Sequence, residues 1–409
     1  MDIVQIVKNI GGKFWRKGVL LCRRATWPLL VRITPVVPNQ VMFRTYQDKY
    51  TCNPKYLCEQ LIRSGEEYSL VWAVSEKTGD RGQFPPQVKL VKVGSNEFYR
   101  AMAASKVWVD NAHNFTWQGF PKKAEQVFIN LWHGSLGLKR IDPANDSNPH
   151  RRKAGALAGK TTTYCISNSD FEEMVFRTSY WPETPFLRFG HCRNDLMFAD
   201  AETLLPLREK VFGTLGISAE KKLFLYAPTF RDGEDFTCFD VDYAGLKSAL
   251  EERFGGDWVI VTRMHYHTQV IIQKNAERLQ RPVYDFVVSG DTYDDMQELL
   301  AVTDAGLTDY SSWICDFVLT GRPAFLFVTD RESYVTERGF YYPLEDTPFP
   351  IAENNAQLLD NVRTFDAQAY AAKTKTYLDG LGCTEDGRAC ERLAALIDEE
   401  IEKSKKEAR

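Results

Sequence analysis

Apolar residues in this chain fall into short runs rich in valine, isoleucine and aromatic side chains, separated by stretches where apolar positions recur every three or four residues. The first pattern fits buried strands and the second amphipathic helices, and their alternation is the mark of parallel α/β layers. In the first half, VMFRT (41–45) reads as a strand, NPKYLCEQLIRSG (53–65) as a helix and YSLVWAV (68–74) as a strand. VKLVKVG (88–94), a helix from Ser95 to about Ala104, KVWVDN (106–111), QVFINLWH (126–133) and TTYCISNS (162–169) follow. Asn53 is placed to cap the first of these helices, with Pro54 in its first turn and Gly65 at its end.

The charged, glycine-containing stretch EKVFGTLGISAEKK (209–222) reads as a crossing, after which the alternation restarts. LFLYAPT (223–229), a helix over Tyr243–Phe254, WVIVTRMH (258–265), VYDFVVS (283–289), a helix over Asp294–Val302, AGLTD (305–309), a helix from Ser312 to Leu319 and AFLFV (324–328) make a second series. The expectation is an α/β protein of two open sheets joined once, with a cleft between them and ligands outside the carboxyl ends of the strands. The tail EEIEKSKKEAR reads as a fraying helix end.

A length of 409 residues suits two domains of ordinary size. With 44% hydrophobic and 26% charged residues and a net charge of −4, the chain is globular and lacks the basic balance of a nucleic-acid binder. Nine cysteines without CxxC spacing read as free thiols of a reducing cytoplasm rather than a zinc site. No apolar run reaches the roughly 18 residues a membrane span needs. Residues 1–40 differ from the rest: Lys8, Lys13, Arg16, Lys17, Arg23, Arg24 and Arg32 stand against Asp2 alone, interleaved with Phe14, Trp15, Leu20, Leu21, Trp27 and Leu29. Such a segment either packs as a solvated first helix or lies on an anionic membrane surface.

Two motifs are decoys. AGALAGKT (154–161) satisfies a loose phosphate-loop pattern, but HRRK precedes it where a strand should stand. His265 and His267 would share a strand face without a third metal ligand nearby. The candidate chemistry lies where strands should end: His133 after NLW, Arg193 in GHCRND, Thr229 and Arg231 in YAPTFRD, Arg263 and His265 in VTRMH, and Thr308, Asp309, Ser311 and Ser312 in LTDYSS. Arginine forks and a serine-rich helix start suit phosphate, and histidine suits proton transfer near neutral pH. Beside His133, Gly134 removes side-chain bulk, and Lys139 with Arg140 could hold an anion.

These residues resemble the CDP-glycerol glycerophosphotransferase family, which makes teichoic acids and related capsular polymers. NPKYLCEQL is similar to that family's NPKYIYEYL, LWHG followed by LKRI to its WHGTPLKKI, and GHCRNDL to its GYPRNDL; YAPTFRD, RMH and TDYSSWICDF fit nearly letter for letter. The matches run in order from about residue 41 to 340. The resemblance implies two Rossmann-like domains facing a cleft, the GT-B architecture: a basic amphipathic membrane-surface segment (1–40), an acceptor domain (41–210) and a CDP-alditol donor domain (211–409). It implies transfer of a polyol phosphate, with glycerol phosphate foremost, to a hydroxyl of a lipid-linked or glycan acceptor, with release of CMP.

By position, His133 matches the family's base, and Arg193, Thr229, Arg263, His265, Ser311 and Ser312 match its donor-binding motifs. His265 is expected to act with His133 in catalysis, and Gly134, Ser135, Lys139, Thr308 and Asp309 to line the substrate site. No cofactor or protein-bound metal is expected, with Mg²⁺ left open, and no nucleic-acid partner. The location implied is the inner face of the cell membrane, held peripherally. Two departures bear on substrate choice: Ser135-Leu136-Gly137 replaces the family's Thr-Pro with one extra residue, and Cys192 replaces a proline. The alternatives are a GT-B glycosyltransferase using a nucleotide sugar and a non-catalytic, membrane-associated assembly factor.

Overall fold

The computed structural model describes residues 24–137, 140–141, 148–229, 239–264, 282–332 and 339–407. Residues 1–23, Lys139, Arg231, His265 and His267 lie outside the described residues.

Two wholly parallel sheets organise the chain. The first has the order β3-β2-β1-β4-β5-β6-β7, from β1 (Val37–Arg44), β2 (Ser69–Val74), β3 (Lys89–Lys92), β4 (Ser105–Asp110), β5 (Val127–Asn130), β6 (Tyr164–Ser167) and β7 (Phe186–Arg188). The second has the order β10-β9-β8-β11-β12-β13, from β8 (Lys222–Tyr226), β9 (Trp258–Thr262), β10 (Val287–Ser289), β11 (Ala305–Thr308), β12 (Ala324–Phe327) and β13 (Ile351–Ala352). In both, the strand order reverses beside the first strand, as in a doubly wound Rossmann sheet. Strands covered on both faces explain the unbroken apolar runs: every residue of Ser105–Asp110 is buried. Alternation sorts side chains between the faces, with Val41 and Phe43 in one core and Met42 in the other. The edge strands Phe186–Arg188 and Ile351–Ala352, too short to show a pattern, were not anticipated.

Ser95 caps the helix Asn96–Ala104 by accepting a hydrogen bond from the Phe98 amide (3.0 Å). Asn53 behaves otherwise than expected: Thr51 is the N-cap, and Asn53 lies buried inside the helix Cys52–Arg63. The phosphate-loop decoy falls within the helix Pro149–Thr161. Its glycines serve packing, since a Cβ on Gly159 would stand 2.1 Å from the Tyr180 carbonyl oxygen.

The sheets are joined twice rather than once. Residue 210 lies within the helix Ala201–Leu215, whose Leu204, Leu207, Val211 and Phe212 pack into the second core. The chain later returns, and the helix Ala389–Glu407 lays Leu393, Ala394, Ile397 and Ile401 onto the first core, so the tail is docked rather than frayed as far as Ile401. No helix among the described residues is long and apolar enough to cross a membrane.

Candidate functional site

A cleft of about 660 Å³ opens where the two sheets face each other. Its lining comes from carboxyl ends of strands: Tyr46, Gln47, Lys49 and Cys52 after β1, His133 after β5, Ala227 and Pro228 after β8, Arg263 and Met264 after β9, and Ser311 and Ser312 after β11. Both strand-order switch points therefore empty into one space, where open α/β sheets bind ligands.

His133 is held rigidly. Its Nδ1 lies 2.6 Å from the Asn111 carbonyl oxygen. A carbonyl only accepts, so Nδ1 carries the proton and Nε2 keeps a lone pair. The ring is set deep among protein atoms, which pushes its pKa well below 6.5; the Asn111 carbonyl opposes that push and the Arg193 guanidinium adds to it. The side chain is nonetheless exposed on the cleft side, so solvent weakens the effect of enclosure, and the direction is what matters: a neutral imidazole at pH 7. The Tyr46 ring lies nearly parallel to it, 6.2 Å away between centroids.

The backbone carrying these groups is strained. Among the described residues, the non-glycine positions with positive φ are Gln47, Asp48, Cys52, Trp132 and Leu136, the first three between β1 and the start of the helix Cys52–Arg63 and the last two after β5. Each costs about 1–3 kcal/mol, which surrounding contacts must offset. Gly134 has a steric reason: a Cβ there would sit 3.2 Å from the Trp132 indole nitrogen folded across it. Asn53 ties the strained loop down, donating to the carbonyls of Leu131 (3.0 Å) and Trp132 (3.1 Å) and accepting from the Arg193 amide (3.0 Å).

Arg193 joins the two walls. Its Nη1 donates to the His133 carbonyl (2.6 Å), and its Nη2 pairs with Asp316 of the second domain (3.0 Å). Its Nε is buried with no hydrogen-bond partner, as is Nη1 of Arg263, whose Nη2 donates to the Asp294 carbonyl (3.1 Å). Both arginines line the cleft, and each keeps one buried guanidinium nitrogen without an acceptor, so neither is fully satisfied by protein groups. Ser311 and Ser312 open the helix Trp313–Phe317, and Ser312 makes no side-chain cap bond.

Other predicted site residues are elsewhere. Thr308 is fully buried and donates to the Ala227 carbonyl (2.8 Å), and Asp309 accepts from the Thr229 amide (2.8 Å). These three shape the floor beneath the cleft without lining it. Ser135 is buried and accepts from Asn168 (2.7 Å), facing away with Gly134 into a separate small hollow. Arg140 donates to the Phe340 carbonyl (3.0 Å), so its guanidinium fastens the second domain. Leu136 inserts into the second core, so the departure at 135–137 is a domain anchor. Cys192 faces the C-terminal helix, its carbonyl accepting from the Cys390 thiol (3.5 Å), and has no direct bearing on substrate. Residues the sequence reading missed are Tyr46, Cys52, Asn111 and Asp316; only Asp316, an acid inside an apolar helix, carried a signal.

The domains are also pinned beside the cleft. Buried Lys55 bridges Asp295 and Glu298 (2.6 Å each), and Lys49 pairs with Asp294 (2.9 Å). Among the described residues, no three His, Cys, Asp or Glu side chains converge as a metal site requires.

The chain is 30% identical over 412 residues to the teichoic acid poly(glycerol phosphate) polymerase of Staphylococcus epidermidis, covering 94% of this chain and 54% of that protein. It is 28% identical over 381 residues to the teichoic acid glycerol-phosphate transferase of Staphylococcus aureus, covering 88% and 92%. It thus spans about half the length of the polymerase and nearly all of the transferase. A structure of the wall teichoic acid polymerase TagF superposes with a TM-score of 0.75 at 25% identity, covering 99% of each chain. The profile of the CDP-glycerol:poly(glycerophosphate) glycerophosphotransferase family matches residues 28–399, and with the matched fold this shows that the chain belongs to that family.

Proposed function

We propose that this protein transfers a polyol phosphate, glycerol phosphate first, from a CDP-alditol to a hydroxyl of a teichoic or related acceptor, releasing CMP. The observation carrying this reading is the apposition, in one cleft, of a neutral imidazole and the Arg193 guanidinium on the first wall with the Arg263 guanidinium and a pair of serines on the second. Nε2 of His133 takes the acceptor hydroxyl proton as the oxygen attacks the β-phosphorus, and the bond from that phosphorus to the bridging oxygen of CMP breaks. Arg263 and Arg193 balance the departing charge, while Ser311 and Ser312 hold the transferred phosphoryl group. His265 is assigned to the leaving-group side from its motif alone. Phosphoryl transfer depends mainly on positioning and charge stabilisation, and this site offers both.

The acceptor sits on the first domain and the donor on the second. The basic amphipathic segment 1–40 lies on the anionic inner face of the membrane; in its described part, Leu29 and Ile33 are exposed beside Arg24 and Arg32. Incubating the purified protein with CDP-glycerol, CDP-ribitol and UDP-sugars, each with a glycerol phosphate-bearing lipid acceptor, tests the reading. CMP release with growth of the acceptor by one polyol phosphate is the expected result; UDP release would make it a glycosyltransferase, and no turnover with any donor would favour an assembly factor.

A further inference from the structure

Asp110 and Asn130 are direct register partners at the carboxyl ends of the adjacent parallel strands β4 and β5. Both are fully buried, and neither lines the cleft. The Asn130 side chain spans the two loops that leave these strands: its Nδ2 donates to the Ala112 carbonyl (2.6 Å), and its Oδ1 accepts from the Trp132 amide (2.9 Å). Asp110 winds the first loop around its carboxylate, accepting from the amides of Ala112 and Phe115 (3.0 Å each) and from the Asn114 side chain (2.6 Å). One loop presents the Asn111 carbonyl; the other presents His133. The Asn111 side chain also accepts from the Tyr46 amide (2.9 Å), so the aromatic ring beside His133 hangs from the same loop.

We infer that the Asp110–Asn130 pair is the positioning device of the base: by fixing the spacing of the two loops it places the Asn111 carbonyl against Nδ1 of His133 and thereby selects the tautomer whose Nε2 is free to accept a proton. The reason is geometric. The 2.6 Å contact that sets the tautomer joins residues on different loops, and Trp132 beside it is held at φ 49°. A backbone this strained relaxes unless its amide is anchored, and Asn130 supplies the anchor. Once the contact opens, imidazole is free to carry its proton on Nε2, which removes the base from the cleft. The pair acts through His133, so this role rests on the proposed transfer reaction.

The test uses the whole protein labelled with carbon-13 and nitrogen-15 in histidine, His133→Asn identifying the His133 resonances. In the unaltered protein the Cδ2 shift should report an Nδ1–H imidazole. Asn130→Ala should convert it to a mixture or to Nε2–H and lower kcat for CMP release about 100-fold, the scale of a misplaced reacting group, with KM for CDP-glycerol unchanged. Asp110→Asn, which keeps one acceptor oxygen, should do the same less severely. Asn130→Ser carries the test if the alanine variant does not fold. An unchanged tautomer with full kcat in the folded variants overturns the inference, as does a loss confined to KM or thermal stability. Full activity in His133→Ala would instead overturn the assignment of the base; an inactive His133→Ala beside a fully active Asn130→Ala defeats the positioning role alone.

Discussion

The two walls of the cleft are built on the same strand order but handle their polar groups in opposite ways. On the first wall most polar groups satisfy one another, Nε of Arg193 excepted: Asn111 holds His133 and Tyr46, Asn53 holds Trp132 and Arg193, and the loops close into strained turns. On the second wall Ser312 makes no cap bond and Arg263 keeps a buried Nη1 without an acceptor. A base must be aimed before its substrate arrives, whereas an anion site gains by leaving donors for the anion. One fold thus gives a tightly cross-bonded first wall, which adds Lys49 and Arg193 to the cleft lining, and a second wall that sets Arg263 and the serine pair among Asp291, Asp295 and Asp316.

The contrast is broken most sharply by His133→Ala, which should reduce CMP release by about 10²–10⁴-fold while the melting temperature stays put. Equal activity in the alanine protein would mean that the first wall is scaffold. Because the His133 pKa is pushed below 6.5, kcat in the unaltered protein should hold steady as the buffer is taken from pH 7.5 down through 6.5, and should decline only in more acid solution. A fall centred at 6.5 would show an ordinary, solvated imidazole.

Lys55→Ala tests whether the walls are held together by charge. It takes from buried Asp295 the only lysine paired with it among the described residues, while Glu298 keeps Lys210, and should lower stability by about 3 kcal/mol in urea titration. The Glu298 carboxyl is under opposing pressures: burial raises its pKa, and Lys55 and Lys210 bring it down to about 2. A folded-state pKa below the unfolded 4.5 gives stability that is present above pH 4.5 and lost as the pH falls toward 2. The alanine variant should show a shallower acid dependence; identical urea midpoints for both proteins would rule out an ionic clasp.

A smaller effect is expected on the second wall. Ser311→Ala with Ser312→Ala removes two hydroxyl donors and should reduce kcat about 10- to 100-fold, on the scale of one or two neutral hydrogen bonds, with unaltered melting. A stability loss without a kinetic one would make these serines ordinary helix-start residues. Smallest of all is Ser135→Ala. Its hydroxyl accepts from Asn168 away from the cleft, so about 1 kcal/mol of stability should go and turnover should be nearly kept. A kinetic collapse there would bring Ser135 back as a substrate ligand.

Much of the scaffold was legible because strand and helix periods are local. The helix Tyr243–Phe254 falls where its apolar positions placed it, β2 and β9 lie within the runs that announced them, and β4 and β8 each begin one residue ahead of theirs. The site was legible in part. His133, Arg193, Arg263, Ser311 and Ser312 do meet in one cleft, because strand ends gather at a sheet's carboxyl edge whatever the residues between. Thr308, Asp309 and Ser135 look equally reactive in the sequence, yet the direction of each side chain is settled by neighbours up to about 80 residues away.

The amino-acid order by itself determined the alternating strands and helices, the paired Rossmann sheets, the family and the chemical types set at the strand ends, since these follow from short-range periodicity and short motifs. Only the tertiary structure decided that Asn53 ties loops rather than capping a helix, that the last helix returns to the first core, and which nitrogen of His133 carries its proton. Those outcomes depend on contacts between distant segments, and a hydrogen bond across 22 or 140 residues leaves no mark on the sequence near either partner.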